Sequence, residues 1–322
     1  MSAPFTEAGS IPVNEPTAVI SYSPVVLTVP GRPVDLQLKV TVPVSGDDLP
    51  VILLSHGHGT SNFLASFNGY GPLANFWAAH GFAVIQPTHL DATALGLKET
   101  DLSDAPLFWH DRATDMHAVL DHLDEIEATV PGLRGRLDRD RIAVAGHSLG
   151  GGTASLLLGM QMLDPDDDRD KDLSDPRIKA GVIIAAPGAG DEHLSPWAAE
   201  HYPILKYVDF SKMAGPALVI AGDKDFNPNF SDRLSYRWDA YTLSPGTDKT
   251  LLTFAGAEHS FGGISGYDAA ECTDENPERV ATLRALVWAY LRSTLYPGDS
   301  AWPDAVAALE SNPHPIARVE TK

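Results

Sequence analysis

Ser148 stands in the segment AGHSLGGGT (residues 145–153), with glycines two positions before it and two after it. An apolar run that begins at Arg141 precedes the segment, and small and apolar residues follow it. A serine raised on a sharp turn between a strand and a helix needs such glycines, because the strained backbone leaves no room for Cβ atoms. The motif alone fits the packing of a turn as well as it fits nucleophilic chemistry.

Phosphate binding is another use of a glycine-rich turn after a strand. The P-loop requires a Lys-Ser/Thr pair after its last glycine, and the dinucleotide fingerprint requires GxGxxG. The segment AGHSLGGGT contains neither pattern. The remaining chemistry to consider is that of an activated serine.

A serine hydroxyl is a poor nucleophile at neutral pH unless a histidine takes its proton and a carboxylate orients that histidine. His259 follows the run TLLTF (250–254), in the loop AGAEHSF. Asp225 follows the run ALVIAG (217–222), in the loop DKDFNP. In parallel sheets that carry this chemistry, the chain order is serine, acid and histidine. We therefore predict Ser148 as nucleophile, Asp225 as acid and His259 as base.

Two other carboxylates compete for the acid position. Asp223 directly follows the strand glycine, where hydrogen bonds within a turn are the more natural role. Asp191 lies in the loop after the preceding apolar run. His147, beside the serine, is expected to pack beneath the turn.

Acyl transfer places negative charge on the carbonyl oxygen, and backbone N–H groups stabilise that charge. The amide of Leu149, next after the serine, is one expected donor. The second is expected from the glycine-rich loop SHGHGT (55–60), which follows the first run of the predicted parallel sheet. A metal site at His56 and His58 is the alternative, but two histidines one residue apart at a strand end point in opposite directions.

These residues need a sheet that brings several strand ends together. Six short apolar runs begin at residues 51, 82, 141, 180, 217 and 250, and helical stretches separate them. Such runs predict strands buried on both faces of a parallel sheet, with helices as crossovers. Two alternating segments around Val25 and Val34 predict an antiparallel hairpin ahead of it. Residues 112–127 and 277–295 have the spacing of amphipathic helices. The expected fold class is α/β, a mostly parallel sheet with helices on both faces.

The predicted domain covers residues 25–295, between an N-terminal arm (1–24) and a loosely ordered C-terminal tail (296–322). About 30 residues separate the fourth and fifth apolar runs, too few for a large cap domain, so an open site is expected. The acidic segment 164–175 resembles the carboxylate spacing of a calcium loop. It lacks that loop's glycine and glutamate, which favours a solvated acidic loop.

The 322 residues carry a net charge of −20, which disfavours nucleic acid and anionic membranes as partners. Cys272 is the single cysteine, so no intramolecular disulfide forms and no CxxC metal site exists. No run approaches the roughly 18 apolar residues of a membrane span. The sequence as it stands suits the cytoplasm, or a secreted form whose signal peptide has been removed.

Taken in order, VILLSHGHG, AGHSLGGGT, LVIAGDKDFNP and FAGAEHSF resemble the α/β-hydrolase superfamily over residues 25–295. The phrases HGFAVIQPTHLD and GHSLGGGTA are similar to its lid-poor branch of cutinase-like polyester hydrolases, chlorophyllases and platelet-activating-factor acetylhydrolase-like esterases. The resemblance implies Ser148, Asp225 and His259 as catalytic residues, with the amides of His58 and Leu149 as oxyanion donors. Polyester hydrolases usually carry an aromatic residue where this chain has His58.

The resemblance implies a serine carboxylic-ester hydrolase that needs no cofactor or metal. Its expected substrate is a small or polymeric ester with an apolar acyl or aryl group. Thioester, lactone or amide cleavage is the alternative within enzymes, and a ligand-binding protein with little turnover is the alternative outside them. Aromatic candidates for the apolar rim of the site are Phe63, Phe67, Tyr70, Trp109, Trp197 and Phe226.

Overall fold

The computed structural model describes residues 11–169 and 171–322. Its strands are β1 (Val19–Leu27), β2 (Leu36–Pro43), β3 (Leu49–Ser55), β4 (Ala83–Pro87), β5 (Leu137–His147), β6 (Gln161–Met162), β7 (Ile178–Ile184), β8 (Val208–Asp209), β9 (Ala217–Gly222), β10 (Lys249–Phe254) and β11 (Ala317–Thr321). Its α-helices are α1 (Gly71–Ala79), α2 (Trp109–Asp121), α3 (Leu123–Thr129), α4 (Leu149–Leu157), α5 (Pro196–His201), α6 (Asp239–Thr242), α7 (Pro277–Leu295) and α8 (Ala301–Glu310).

Nine strands form one sheet in the order β1-β2-β4-β3-β5-β7-β9-β10-β11. The block from β4 to β10 is parallel, and each of its six strands lies on one of the six predicted apolar runs. The predicted hairpin is β1 with β2, which pair antiparallel. The α/β prediction with a mostly parallel sheet is therefore confirmed. The predicted start at residue 25 falls inside β1, and residues 1–10 of the predicted arm lie outside the described range.

The sheet separates two apolar cores. Alternate residues of β3 face opposite sides, with Val51 in one core and Ile52 in the other. Buried residues of α2 and α4 belong to the first core, and those of α1 and α7 belong to the second. Because the strands of the block run parallel and helices cover both faces, their carboxyl ends are all exposed at a single edge of the sheet.

The C-terminal prediction is wrong. Residues 296–322 contain α8 and β11, and β11 pairs antiparallel with β10 along five residue pairs. Ala305 and Leu309 of α8 are buried in the same core as α7. The short apolar pattern of this segment gives little signal by itself, and its order comes from backbone pairing with a strand already in place.

The long helix predicted over residues 112–127 is two helices, α2 and α3, that meet at His122. The backbone of His122 leaves the helical region, and its Nδ1 lies 2.7 Å from the carbonyl oxygen of Ala118. The helix predicted over 277–295 is confirmed as α7.

Only short elements lie between β7 and β9, namely α5, β8 and two 3-10 helices (Asp191–His193 and Pro203–Tyr207). Strand β8 pairs with β6 in a separate two-stranded sheet. These short elements lie beside the carboxyl ends of the strands. They agree with the prediction that the segment between β7 and β9 is too short for a large cap domain. No helix in the described part of the chain is both long and apolar enough to cross a membrane.

Candidate active site

Ser148 occupies the junction between β5 and α4 in a strained backbone conformation, with φ 56° and ψ −124°. Few non-glycine residues adopt such angles, and those that do cluster at functional sites. A Cβ atom on Gly146 would overlap the carbonyl group of Gly150, and one on Gly150 would overlap the carbonyl oxygen of Ser55. The glycines on either side of the serine are therefore required by the close approach of backbone to backbone.

The two following glycines differ from one another. A Cβ atom on Gly151 would lie 2.9 Å from the Cβ of Ala186, which is too close. A Cβ atom on Gly152 would have only the Cδ of Pro187 nearby, at 3.8 Å. Close packing of α4 therefore requires a glycine at position 151 but not at position 152.

Gly150 and Gly152 give a matched pair of substitutions, because a Cβ atom has no room at the first position and has room at the second. Gly150→Ala should destabilise the fold by about 3 kcal/mol, because its methyl group has no space to occupy. Gly152→Ala should be neutral or stabilising by up to about 1 kcal/mol, because alanine favours a helix and the methyl group meets only ordinary contacts. Urea unfolding of both variants measures the difference. Equal stability of the two would contradict the backbone contact described for Gly150.

The three residues predicted as catalytic form one hydrogen-bonded chain. His259 Nε2 lies 2.9 Å from Ser148 Oγ, and His259 Nδ1 lies 2.9 Å and 3.0 Å from the two carboxylate oxygens of Asp225. Each residue follows a different strand of the parallel block: Ser148 follows β5, Asp225 follows β9 and His259 follows β10. Since a carboxylate only accepts, Nδ1 carries the proton and Nε2 is free to accept the serine proton.

Asp223 bonds to the loop after β10 and not within its own turn, so the prediction of a turn role is wrong. Its carboxylate accepts a hydrogen bond from the amide of Gly256 at 2.7 Å, on the exposed side of the loop. The side chain of Asp191, the third acid candidate, lies outside the described side chains.

Arg237 extends this series of hydrogen-bonded residues, because it forms an ion pair with Asp225. Its Nε lies 3.3 Å from Asp225 Oδ2, and its Nη1 donates to the carbonyl of Ala185 at 3.0 Å. Both partners of the ion pair are buried. Burial acts to raise the pKa of Asp225, but the neighbouring His259 and Arg237 outweigh it and hold that pKa below its ordinary value. Asp225 is therefore a fixed carboxylate at neutral pH.

The two residues predicted to supply oxyanion donors, His58 and Leu149, lie beside Ser148. Leu149 is the first residue of α4, where helical N–H groups have no partner within the helix. The loop after β3 lies against the serine, because a Cβ built on Gly57 would be 3.3 Å from Ser148 Cβ. His58 follows in that loop and, like Leu149, lines the cavity at Ser148.

A buried ion pair holds the loop of His58 in place. His58 Nδ1 donates to Asp91 at 2.9 Å, and Arg112 pairs with the other carboxylate oxygen of Asp91. Arg112 also donates to the carbonyl of His56 and, at 3.0 Å, to the hydroxyl of Thr153 in α4. Burial would raise the pKa of Asp91, but Arg112 and His58 lower it well below its usual range. The loop, α2 and α4 are thus tied together around one charged pair.

His56 and His58 do not share a ligand. His56 Nδ1 donates to the carbonyl of Gly57 at 2.7 Å, and its Nε2 accepts from the amide of His89 at 3.0 Å. His58 turns to Asp91 instead. Within residues 11–169 and 171–322, no group of three or more ligating side chains is placed to hold a metal ion.

His147 links the serine turn to both neighbouring loops. Its Nε2 donates to the carbonyl of His259 at 2.7 Å, and its Nδ1 accepts from the hydroxyl of Tyr70 at 3.0 Å. The same hydroxyl oxygen accepts from the amide of Gly57 at 3.0 Å. His147 packs beneath the turn, as predicted. It also positions the loop of His259 directly and the loop of Gly57 through Tyr70.

The burial of His147 predicts a loss of stability in acid. Burial lowers the pKa of His147 to about 3, so the folded protein keeps it neutral, whereas the unfolded chain takes up a proton below pH 6.5. The free energy of unfolding should therefore fall as the pH drops from 6.5 towards 3, by about 1.4 kcal/mol per pH unit from this residue. Urea unfolding between pH 7 and 4.5 measures the slope. His147→Gln, which cannot gain a proton, should have the shallower slope, and equal slopes would refute the assignment.

The chain of Ser148, His259 and Asp225 opens into a cavity of about 520 Å³. The apolar residues of its lining are Leu107, Leu149, Pro187, Tyr202, Leu205, Phe226 and Phe230. Its polar residues, besides those already described, are Lys224, Asn227, Glu258 and Thr273. A cavity of this size and mixed lining suits a small organic ligand with an apolar part.

Of the aromatic residues predicted for the rim, Phe226 lines this cavity. Trp197 is 41% exposed and packs on the far side of Tyr202 and Phe230. Phe63 is exposed beside Gly266, and Trp109 is buried at the start of α2. Tyr70 is fully buried, and Phe67 does not line the cavity. The other five predicted residues do not line this cavity, because aromatic character alone does not indicate the direction of a side chain.

Sequence reasoning missed Arg237 and Asp91. Arg237 lies in a 3-10 helix (Leu234–Trp238) with no motif around it. Asp91 could have been found from the sequence, because it follows β4 closely in the segment THLD. That position places it at the same edge of the sheet as the residues that follow the other strands. Neither a comparison with protein-family models nor a search of curated proteins finds a match for this chain.

Proposed function

We propose that the chain is a serine hydrolase of carboxylic esters, with the α/β-hydrolase fold. The observation that carries the proposal is the continuous hydrogen-bonded chain from Ser148 Oγ through His259 to Asp225. The strained serine between β5 and α4 and the chain order serine, acid, histidine support the fold assignment. The apolar residues in the lining of the cavity favour an ester with an apolar acyl or aryl group.

In the first half of the proposed reaction, Ser148 Oγ bonds to the ester carbonyl carbon while His259 Nε2 takes the hydroxyl proton. The carbonyl π electrons move onto oxygen, and the amides of His58 and Leu149 stabilise the resulting negative charge. His259 then gives its proton to the alcohol oxygen as the C–O bond breaks. The alcohol leaves, and the acyl group remains on Ser148.

In the second half, water takes the place of the alcohol. Its oxygen bonds to the acyl carbon while His259 accepts one of its protons, and a second oxyanion forms beside the same amides. The bond to Ser148 then breaks, Ser148 recovers its proton from His259, and the carboxylic acid leaves. Asp225 stays ionised throughout and stabilises His259 while it is protonated.

A fluorophosphonate probe and a chromogenic ester test the proposal on the intact protein. The probe should modify one residue per chain, and peptide mass analysis should place it on Ser148. p-Nitrophenyl butyrate should be hydrolysed at a rate that falls in step with labelling. Labelling of a different residue, or absence of both labelling and turnover, would contradict the proposal. Saturable ester binding without turnover would assign the cavity to ligand binding instead.

A further inference from the structure

A second cavity of about 200 Å³ lies beside the cavity of Ser148. The two cavities meet at Leu107 and Tyr202, which line both. The second cavity has an apolar surface formed by Pro106, Leu107, Trp109, Tyr202, Pro203 and Ile204. Trp109 does not line the first cavity, but it does line the second.

The carboxylates that line this second cavity outnumber its one guanidinium, with Asp104, Asp164 and Asp167 against Arg169. Arg169 donates to both carboxylate oxygens of Asp104, at 2.6 Å and 2.7 Å, and to Asp167 at 2.6 Å. Its guanidinium carbon also lies 5.2 Å from the centre of the Trp109 ring. Because its donors are engaged by two carboxylates, Arg169 offers little to an anionic ligand. A ligand in this cavity meets apolar surface and an excess of carboxylates, which disfavours a negatively charged group.

The acidic segment gains a structural role from this arrangement. Asp164, Asp167 and Arg169 line the second cavity, and Asp170 lies outside the described residues. Asp167 is held by Arg169, and the carboxylate of Asp164 accepts from the amide of Asp166 at 3.0 Å. The segment therefore forms one wall of the cavity.

The size of the second cavity fits one ring. Apolar cavities of about 150 Å³ admit a molecule the size of benzene. Proline, tryptophan and tyrosine side chains present flat apolar surfaces that suit an aromatic or alicyclic ring. Burial raises the pKa of Tyr202, so its phenol is neutral where the two cavities meet.

We infer that the substrate is an elongated ester without a negative charge, whose carbonyl lies at Ser148 and whose remote ring crosses Leu107 and Tyr202 into the second cavity. This inference rests on the proposed function. It adds that substrate preference is set by a ring several bonds from the carbonyl, held by residues that take no part in the chemistry. The ring is carried on the acyl or the alcohol side of the ester, and the two substrate series below distinguish these.

The test compares esters that share one reacting group. p-Nitrophenyl butyrate and p-nitrophenyl 4-phenylbutyrate differ by a ring on the acyl side, and butyl acetate and 4-phenylbutyl acetate differ by a ring on the alcohol side. In one of these pairs, the ester with the ring should have a kcat/KM about 10- to 100-fold higher, as expected for the burial of one ring. Replacing the ring by a carboxylate of similar reach should remove the advantage.

Ile204→Trp, which fills the second cavity, should reduce the preference for the ring at least about tenfold, since a single ring contributes this much. Ile204→Ala, which is easier to accommodate in the fold, should reduce it several-fold by removing apolar contact. Leu243→Trp, on an exposed residue outside both cavities, is the matched control and should leave the preference unchanged. Turnover of the short esters with no preference for the ring, or a preference unaltered in both Ile204 variants, would overturn this inference alone. Failure to hydrolyse any of the esters would overturn the proposed function and this inference with it.

Discussion

Replacing Ser148 by alanine is expected to lower kcat for ester hydrolysis by about 10⁴- to 10⁶-fold, the range for loss of a serine nucleophile that acts with a histidine. The alanine variant keeps the cavity, His259 and both candidate oxyanion donors, so ester binding should persist while no acyl-enzyme forms. Steady-state kinetics with p-nitrophenyl butyrate measures the loss, and mass spectrometry of the intact protein measures the acyl adduct.

Ser155→Ala is the matched control, since Ser155 lies in the helix that follows Ser148 and its hydroxyl donates to the carbonyl of Gly151 at 2.9 Å. This variant should keep its kcat within a few-fold of the unmodified protein. If Ser148→Ala retained more than about 1% of the original kcat, far above the residual rate expected without the nucleophile, the attacking group would have to be another residue or a water molecule.

Replacing Asp225 by asparagine is expected to lower kcat by about 10⁴-fold with little change in the fold. Arg237 donates towards this side chain, so the amide oxygen of asparagine should turn to Arg237 and its NH₂ group to His259. An NH₂ donor facing Nδ1 forces the imidazole proton onto Nε2. His259 then donates towards Ser148 and no longer accepts its proton.

Asp223→Asn provides the comparison for Asp225. Asp223 lies two residues earlier in the same loop and accepts one hydrogen bond from the amide of Gly256, which an asparagine oxygen can also accept. Its kcat should stay close to that of the unmodified protein. Equal losses in both variants would mean that loop structure, and not the tautomer of His259, determines the effect. The tautomer itself can be followed by the ¹⁵N chemical shifts of His259.

The sequence was most informative where a chemically distinctive residue follows a strongly apolar strand. Ser148, Asp225 and His259 each do so, and in the structure His259 lies within hydrogen-bond distance of both Ser148 and Asp225. The parallel order of the strands follows from the same runs, because buried parallel strands are continuously apolar. These features are local in sequence, so a single chain suffices to find them.

The apolar surface of the cavities could not be predicted in the same way. Tyr202 and Phe230 lie in irregular segments after β7 and β9, and their rings stack 5.8 Å apart only once the tertiary fold is formed. Trp109 was assigned to the right region but to the wrong cavity, since it lines the second cavity and not the one at Ser148. Strand β11 was missed because an edge strand of mixed polarity acquires its conformation from the partner strand.

The antiparallel pairing of β11 also determines how the protein is best attached to other materials. Residue Ala317 pairs with Phe254 at the end of β10 that leads to His259, whereas Thr321 pairs with Thr250 near the opposite end. Anything joined after Lys322 therefore emerges on the face of the molecule opposite the cavity mouth. A resin, surface or fusion partner coupled at that position would leave the approach of bulky substrates to Ser148 unobstructed.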